Sequence, residues 1–274
     1  MVERSPLSEP LAWNLVAEEY QAVTAPFFRH YAKAALDRAK QPENARVLDV
    51  AAGPGTLSLI AAERGHAVSA IDFAPNMISM LERAARAQNL VVDCRVGDGM
   101  ALPFSDQLFD AAFSMFGLIF FPDRVQGFRE LYRTLKPGGV AVVSSWQPMD
   151  RFQLLSDIFE ALRSLLPNMP FGNGKAPLGE LDELVSEMSQ AGFHDVEAEV
   201  VSATVDLPSL EAAWDMMHRG SAPFALLRSN IGEDRWRSVE SGIKDRLLEK
   251  YGPGPQQVTM TANLGIGRRP GSGG

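Results

Sequence analysis

Cysteine is almost missing from this chain, with one, Cys94, in 274 residues. A lone cysteine forms no internal disulfide, which sets aside the disulfide-stapled secreted class and fits a reducing, cytoplasmic setting. Histidine is scarce as well: the four present show no metal-ligand spacing with each other or with Cys94, so no metal site is expected. No apolar run is long enough to span a bilayer, and the polar stretch Met1–Pro10 does not read as a leader peptide. Positive charge is in deficit, with 26 Lys and Arg against 34 Asp and Glu and a net charge of −8. No basic run compensates locally, which counts against nucleic acid as a partner.

What remains is an ordinary globular composition, 46% hydrophobic and 22% charged, long enough for one large α/β domain with an appended cap. No internal repeat is visible. Apolar residues recur at helical spacing from Leu11 to Lys40 with a break near Pro26, which predicts two helices. Strands are expected at 46–51, 67–72, 91–96, 109–115 and 140–145, with helices at 56–64, 75–87 and 124–135 between them. Alternation of this kind predicts an α/β fold, a doubly wound and mostly parallel sheet covered by helices on both faces. Cys94 is expected to be core, inside a buried third strand. Further on, helices are predicted over 151–166, 178–191, 210–228 and 234–251, a loop over 167–177, and strands over 196–205 and 258–266. The closing Arg268-Arg269-Pro270-Gly271-Ser272-Gly273-Gly274 is expected to be loose.

Three short motifs carry chemistry. Val47-Leu48-Asp49-Val50-Ala51-Ala52-Gly53-Pro54-Gly55 delivers a buried strand to a glycine turn at a helix start, where backbone can approach a ligand and free amides favour an anion. Asp72 ends the second strand about 20 residues beyond that turn, where a carboxylate can accept both hydroxyls of a ribose. It can equally cap the helix that Pro75 opens. Val96-Gly97-Asp98-Gly99-Met100 ends the third strand, so that Asp98 can accept from an amino group while Met100 and Phe73 offer apolar faces to a ring. A fourth segment, Ser114-Met115-Phe116-Gly117, ends the fourth strand, and Lys136-Pro137-Gly138-Gly139 reads as a structural turn.

In this order and spacing, these pieces resemble the class I SAM-dependent methyltransferases, and within them the type-11 group that includes quinone-biosynthesis enzymes. The resemblance covers about Trp13 to Trp146. It implies a Rossmann-like fold and S-adenosylmethionine (SAM) as cofactor. Gly53 and Gly55 would hold the methionine part, Asp72 the ribose and Asp98 the adenine, with Asp49 supporting the turn. Ala51, Phe73, Met77, Gly99, Met100, Ser114 and Phe116 would complete the cofactor site, and Tyr20 would act as a lid residue. The family often has glycine where Ala51 stands, which implies slightly altered packing there. The resulting division is lid helices over 1–45, a SAM-binding core over 46–146, a substrate cap that also completes the sheet over 147–266, and a tail over 267–274.

Methyl transfer from a sulfonium asks the protein mainly for alignment and a dry site, so a base is optional. His218, on a helix of the cap, and His30, near the lid, are the candidate bases, while His66 and His194 read as structural or exposed. Phe27, Phe28, Phe116, Phe120, Trp146, Phe152, Trp214 and Met217 are candidates for the acceptor site and suggest a small apolar or aromatic molecule. Monomer and homodimer both stay open. Two other readings compete: an NAD(P)-dependent oxidoreductase, because Gly53-x-Gly55-x-x-Ser58 nearly meets its fingerprint, and a non-catalytic binding subunit whose pocket is filled by side chains.

Overall fold

A computed structural model describes residues 5–167 and 176–271. Most of the loop expected over 167–177 lies outside the described residues, as do the last three residues of the tail. Helix α1 (Pro10–Glu19) runs through a π-type turn, Tyr20–Thr24, into α2 (Ala25–Ala39). Pro26 sits in the first turn of α2, where its missing N–H leaves no gap, so the break falls just before it. Then come β1 (Arg46–Val50), α3 (Thr56–Glu63), β2 (Ala67–Asp72), α4 (Pro75–Ala87), β3 (Val92–Val96), β4 (Phe109–Met115), α5 (Arg124–Thr134) and β5 (Leu135–Trp146). The second part holds α6 (Gln153–Leu165), α7 (Leu181–Gln190), β6 (His194–Leu207), α8 (Leu210–His218), α9 (Ala222–Ile231), α10 (Glu233–Tyr251) and β7 (Gln256–Arg268).

The seven strands form one sheet in the order β3-β2-β1-β4-β5-β7-β6. The first five are parallel, and β7 runs antiparallel between β5 and β6. Successive side chains of a strand point to opposite faces. Val47 therefore joins Leu36, Ile60 and Phe113 under α2 and α3, while Leu48 joins Phe128, Leu131 and Leu184 under α5 and α7. A third core, built on Trp214, Phe224, Trp236 and Ile243, holds α6, α8, α9 and α10 together.

Five expectations need correcting. The helix expected over 210–228 is two helices. At Gly220 a Cβ would lie 1.7 Å from the Thr24 hydroxyl oxygen, so the chain turns against the N-terminal segment and restarts before Pro223. The helix expected from Leu178 begins at Leu181, because Leu178 takes a left-handed turn (φ +56°) with its side chain buried. Strand β3 is the sheet edge, so Cys94 is only half-buried and Val91 is 88% exposed. The two arginines of the tail are held: Arg268 pairs with Val140 in the sheet, and Arg269 Nη1 donates to the carbonyls of Tyr132, Arg133 and Leu135. The Lys136–Gly139 turn is absorbed into β5 as a bulge opposite Asp110.

Candidate active site

The parallel strands deliver their carboxyl ends to one cavity of about 1590 Å³. Ala51 and Gly53 follow β1, Asp72 and Phe73 end β2, Gly97–Met100 follow β3, Phe116 and Gly117 follow β4, and Trp146 ends β5. Such a crevice outside the carboxyl ends of the strands is where open α/β sheets bind ligands.

At the cofactor-like end the glycine turn and the acid of the second strand are joined directly. Gly53 N–H donates to Asp72 Oδ2 at 2.8 Å, and Ala74 N–H donates to Oδ1 at 2.9 Å. Asp72 thus ties the glycine turn to the residue that precedes α4 while still bordering the cavity. Burial pushes its pKa up to about 6, against the pull of these amides. Gly53 has φ +55°, and nothing lies within 4 Å of where a Cβ would be, so its backbone is presented to open space. Gly55 does a different job: a Cβ there would strike Leu81, so it permits close packing of α3 on α4 behind the wall. Asp98 Oδ1 accepts from Met100 N–H at 2.8 Å, and the Asp98 side chain is exposed at the cavity beside Gly99 and Met100. Phe73 and Met77 complete this end.

Asp49 lies one layer deeper. It accepts from the Ser58 hydroxyl at 2.6 Å and borders a small side pocket with Tyr20, Ala51 and Gly53. Burial, the largest effect, raises its pKa to about 7. The Tyr20 phenol is raised too, by burial and then by the Asp72 charge. Tyr20 faces both hollows from the π-type turn, which widens the helix there.

The far end is aromatic. Phe116 stacks on Trp146 at 4.2 Å between ring centres and meets Phe28 edge-on at 4.9 Å. Phe116 holds φ +59°, a conformation uncommon for a bulky residue; its N–H is satisfied by Ser144. Phe27, Phe120, Phe152 and Met217 border the cavity as well. Phe120 packs edge-on to Trp13 at 4.8 Å and its carbonyl accepts from Ser8, which closes the N-terminal segment over the opening.

The structure keeps several sequence candidates out of this wall. Trp214 is buried in the cap core, where its Nε1 donates to Glu240. His218 stacks on Trp214 at 4.5 Å and its Nδ1 is 2.9 Å from the Trp214 carbonyl, so it serves the cap and not the cavity. Burial lowers the His218 pKa. His30 is exposed on α2, and Ser114 is sealed behind Gly117. Residues that the sequence reading missed are Thr24, Gln147, Phe159 and Met260, all on the wall. For Gln147 a signal existed, its place next to Trp146 at a strand's carboxyl end. Among the described residues no Lys, Arg or His borders the cavity; its ionisable groups are carboxylates and Tyr20.

Residues 48–143 match the model of a family described as "Methyltransferase domain". A demethylmenaquinone methyltransferase of Thermus thermophilus is 42% identical over 116 residues, 42% of this chain and 53% of that protein. An uncharacterised protein of Mycobacterium tuberculosis is 34% identical over 162 residues, 59% of this chain and 58% of that protein. The chain thus spans about half the length of the curated relatives it matches. Among solved structures, the (4+2) cyclase SpnF superposes with a TM-score of 0.62 at 21% identity, covering 98% of this chain and 99% of that one. Phosphoethanolamine N-methyltransferase 2 of Haemonchus contortus, solved with S-adenosyl-L-methionine, gives 0.53 at 22% identity over 88% of this chain and 52% of that one. At such identities these two likenesses bear on the fold alone, the Rossmann-like fold of class I methyltransferases.

Proposed function

We propose, on the match of residues 48–143 to the methyltransferase-domain model, that the chain transfers a methyl group from SAM to a small apolar or aromatic molecule. One observation carries the reading: the glycine turn after β1 and the acid of β2 are hydrogen-bonded to each other at the wall of a large cavity that the other strand ends share. In this reading the amides at the start of α3 hold the carboxylate of the cofactor. Asp72 keeps lone pairs for the ribose hydroxyls, Asp98 accepts from the adenine amino group, and Phe73, Met77 and Met100 flank the ring. The exposed Gly53 backbone leaves the space that such a ligand needs. Bound SAM supplies an electrophilic methyl on a sulfonium.

The chain's own residues align the partners and exclude water. Phe116 and Trp146 offer ring faces to the acceptor, and Tyr20 and the Phe120 clasp close the opening. His218 and His30 lie away from the wall, so this reading gives neither of them the role of base. Relationship to a demethylmenaquinone methyltransferase makes a quinol-like ring the first acceptor to try. The oxidoreductase reading loses ground to the family match, and a non-catalytic subunit would be expected to fill its pocket with side chains, whereas this one keeps about 1590 Å³ of space.

Calorimetric titration with SAM and with NADH, beside an Asp72→Ala variant, tests the cofactor. Micromolar SAM binding that weakens in the variant supports the reading. Acceptors are then screened by mass spectrometry for the gain of one methyl. NADH binding without SAM binding would overturn it.

A further inference from the structure

Gln147 borders the aromatic end of the cavity with 6% of its surface exposed. Its carboxamide is held in one orientation by a buried chain of hydrogen bonds. Asn263, on β7 and fully buried, donates from Nδ2 to the carbonyls of Leu178 at 3.1 Å and Gly179 at 2.7 Å. Backbone carbonyls only accept, so both amide hydrogens of Asn263 are committed and its Oδ1 is left as an acceptor. The atom of Gln147 that lies 3.2 Å from that oxygen is therefore the donor Nε2. Gln147 Oε1 accepts no hydrogen bond among the described residues.

The anchor is rigid. Ser145 also donates to the Leu178 carbonyl, at 2.6 Å, and Leu178 is a buried residue in a left-handed turn. A flip of Gln147 would set its NH₂ hydrogens away from Asn263 Oδ1 and bring two acceptor oxygens face to face, at a loss of about one buried hydrogen bond. The described wall holds aromatic rings and the carboxylates of Asp150 and Glu180 but no cationic side chain; Arg151 pairs with Glu180 at 3.5 Å without itself lining the cavity. Among the described wall residues an anionic acceptor molecule finds no counter-charge, and an acceptor oxygen finds no donor in Oε1.

We propose that Gln147 is a specificity-determining residue whose Oε1 receives an uncharged O–H or N–H donor on a flat apolar acceptor molecule. This rests on the reading of the cavity as a methyl-acceptor site. The test is a pair of probes matched in ring and size: 2-naphthol, which carries the donor, and 2-methoxynaphthalene, which does not. Each is titrated calorimetrically into the full chain with S-adenosylhomocysteine present. Wild type should bind the naphthol about 10-fold tighter, the effect of one hydrogen bond in a dry site. Gln147→Leu should lose that preference and keep the wild-type affinity for the ether, with an unchanged circular dichroism spectrum. Gln147→Asn, which draws the amide back from the cavity, should lose it as well. Equal affinities in wild type, binding of neither probe, loss of both probes from a folded variant, or a preference that survives both substitutions would each overturn the role of Gln147. A parallel SAM titration separates the two ideas. SAM binding without the naphthol preference overturns this proposal alone. The preference without SAM binding overturns the methyltransferase reading and leaves Gln147 as a donor-selecting wall residue.

Discussion

The Gly53 amide donates to Asp72 Oδ2 at 2.8 Å, so the turn after β1 and the acid ending β2 act as one unit. With a pKa near 6, Asp72 gains its full charge only as pH rises through that value, and the carboxylate is the better acceptor for ribose hydroxyls. SAM affinity should therefore increase between pH 5 and 7. In Asp72→Asn it should be about 10-fold weaker at pH 7.5 and nearly flat with pH, because the amide puts a donor against Gly53 or Ala74. Titration calorimetry across that range reads both effects; a flat wild-type profile would sink the assignment.

Asp49 and Asp72 both have folded pKa values raised above the ordinary carboxylate value, Asp49 to about 7. Such groups bind more protons folded than unfolded. Their contribution to stability is fully present below the ordinary value near 4 and is lost as pH rises through about 6 and 7. Taken alone, these two groups should lower the melting temperature of the ligand-free protein from pH 5.5 to pH 8 by on the order of 5 °C, while the lowered pKa values of His66 and His218 act in the opposite sense. Asp49→Asn should flatten that slope while keeping an oxygen for the Ser58 hydroxyl. Differential scanning fluorimetry over a pH series decides it.

Ala51 holds φ +58° and its Cβ lies 2.4 Å from where a Cβ on Gly117 would stand. Gly117→Ala should therefore destabilise by roughly 2 kcal/mol through overpacking. Ala51→Gly removes both the opposing methyl and about 1 kcal/mol of left-handed strain. In the double variant most of the loss should be recovered, a coupling that a urea-denaturation cycle measures. Strict additivity would show that the two positions do not meet.

Cys94 sits on the edge strand, yet burial raises its thiol pKa to about 11, with Glu82 and Asp93 adding to the shift. At pH 8 alkylation by iodoacetamide should be more than about 100-fold slower than for free cysteine, since only the thiolate reacts. The rate should climb tenfold per pH unit up to pH 10. Fast labelling at neutral pH would contradict this placement.

Helix α4 and strand β1 were readable because their signals are local. Pro75 opens the helix, Met77, Ile78, Leu81 and Ala85 mark its buried face, and a strand covered on both sides needs an unbroken apolar run. The glycine turn, Asp72 and Asp98 were legible for a related reason, since each lies at a strand end whose position follows from the strand. Cys94 misled because its segment has the apolar alternation of a strand without revealing that the strand lies at the sheet edge. The break between α8 and α9 depends on Gly220 meeting Thr24, almost 200 residues earlier, and no window of sequence contains both.

By itself, then, the sequence determined the alternating α/β core, the loops at its carboxyl ends and the acidic, histidine-poor chemistry available there, because these follow from local periodicity, turn chemistry and residue count. Only the tertiary structure decided which side chains share the cavity. It turned His218 and Trp214 into the cap core, brought Gln147 and Met260 to the wall, and fixed the face of the Gln147 amide through Asn263. Those outcomes depend on how helices pack across long separations in the chain, where close packing and satisfied buried hydrogen bonds allow one arrangement and local sequence is silent.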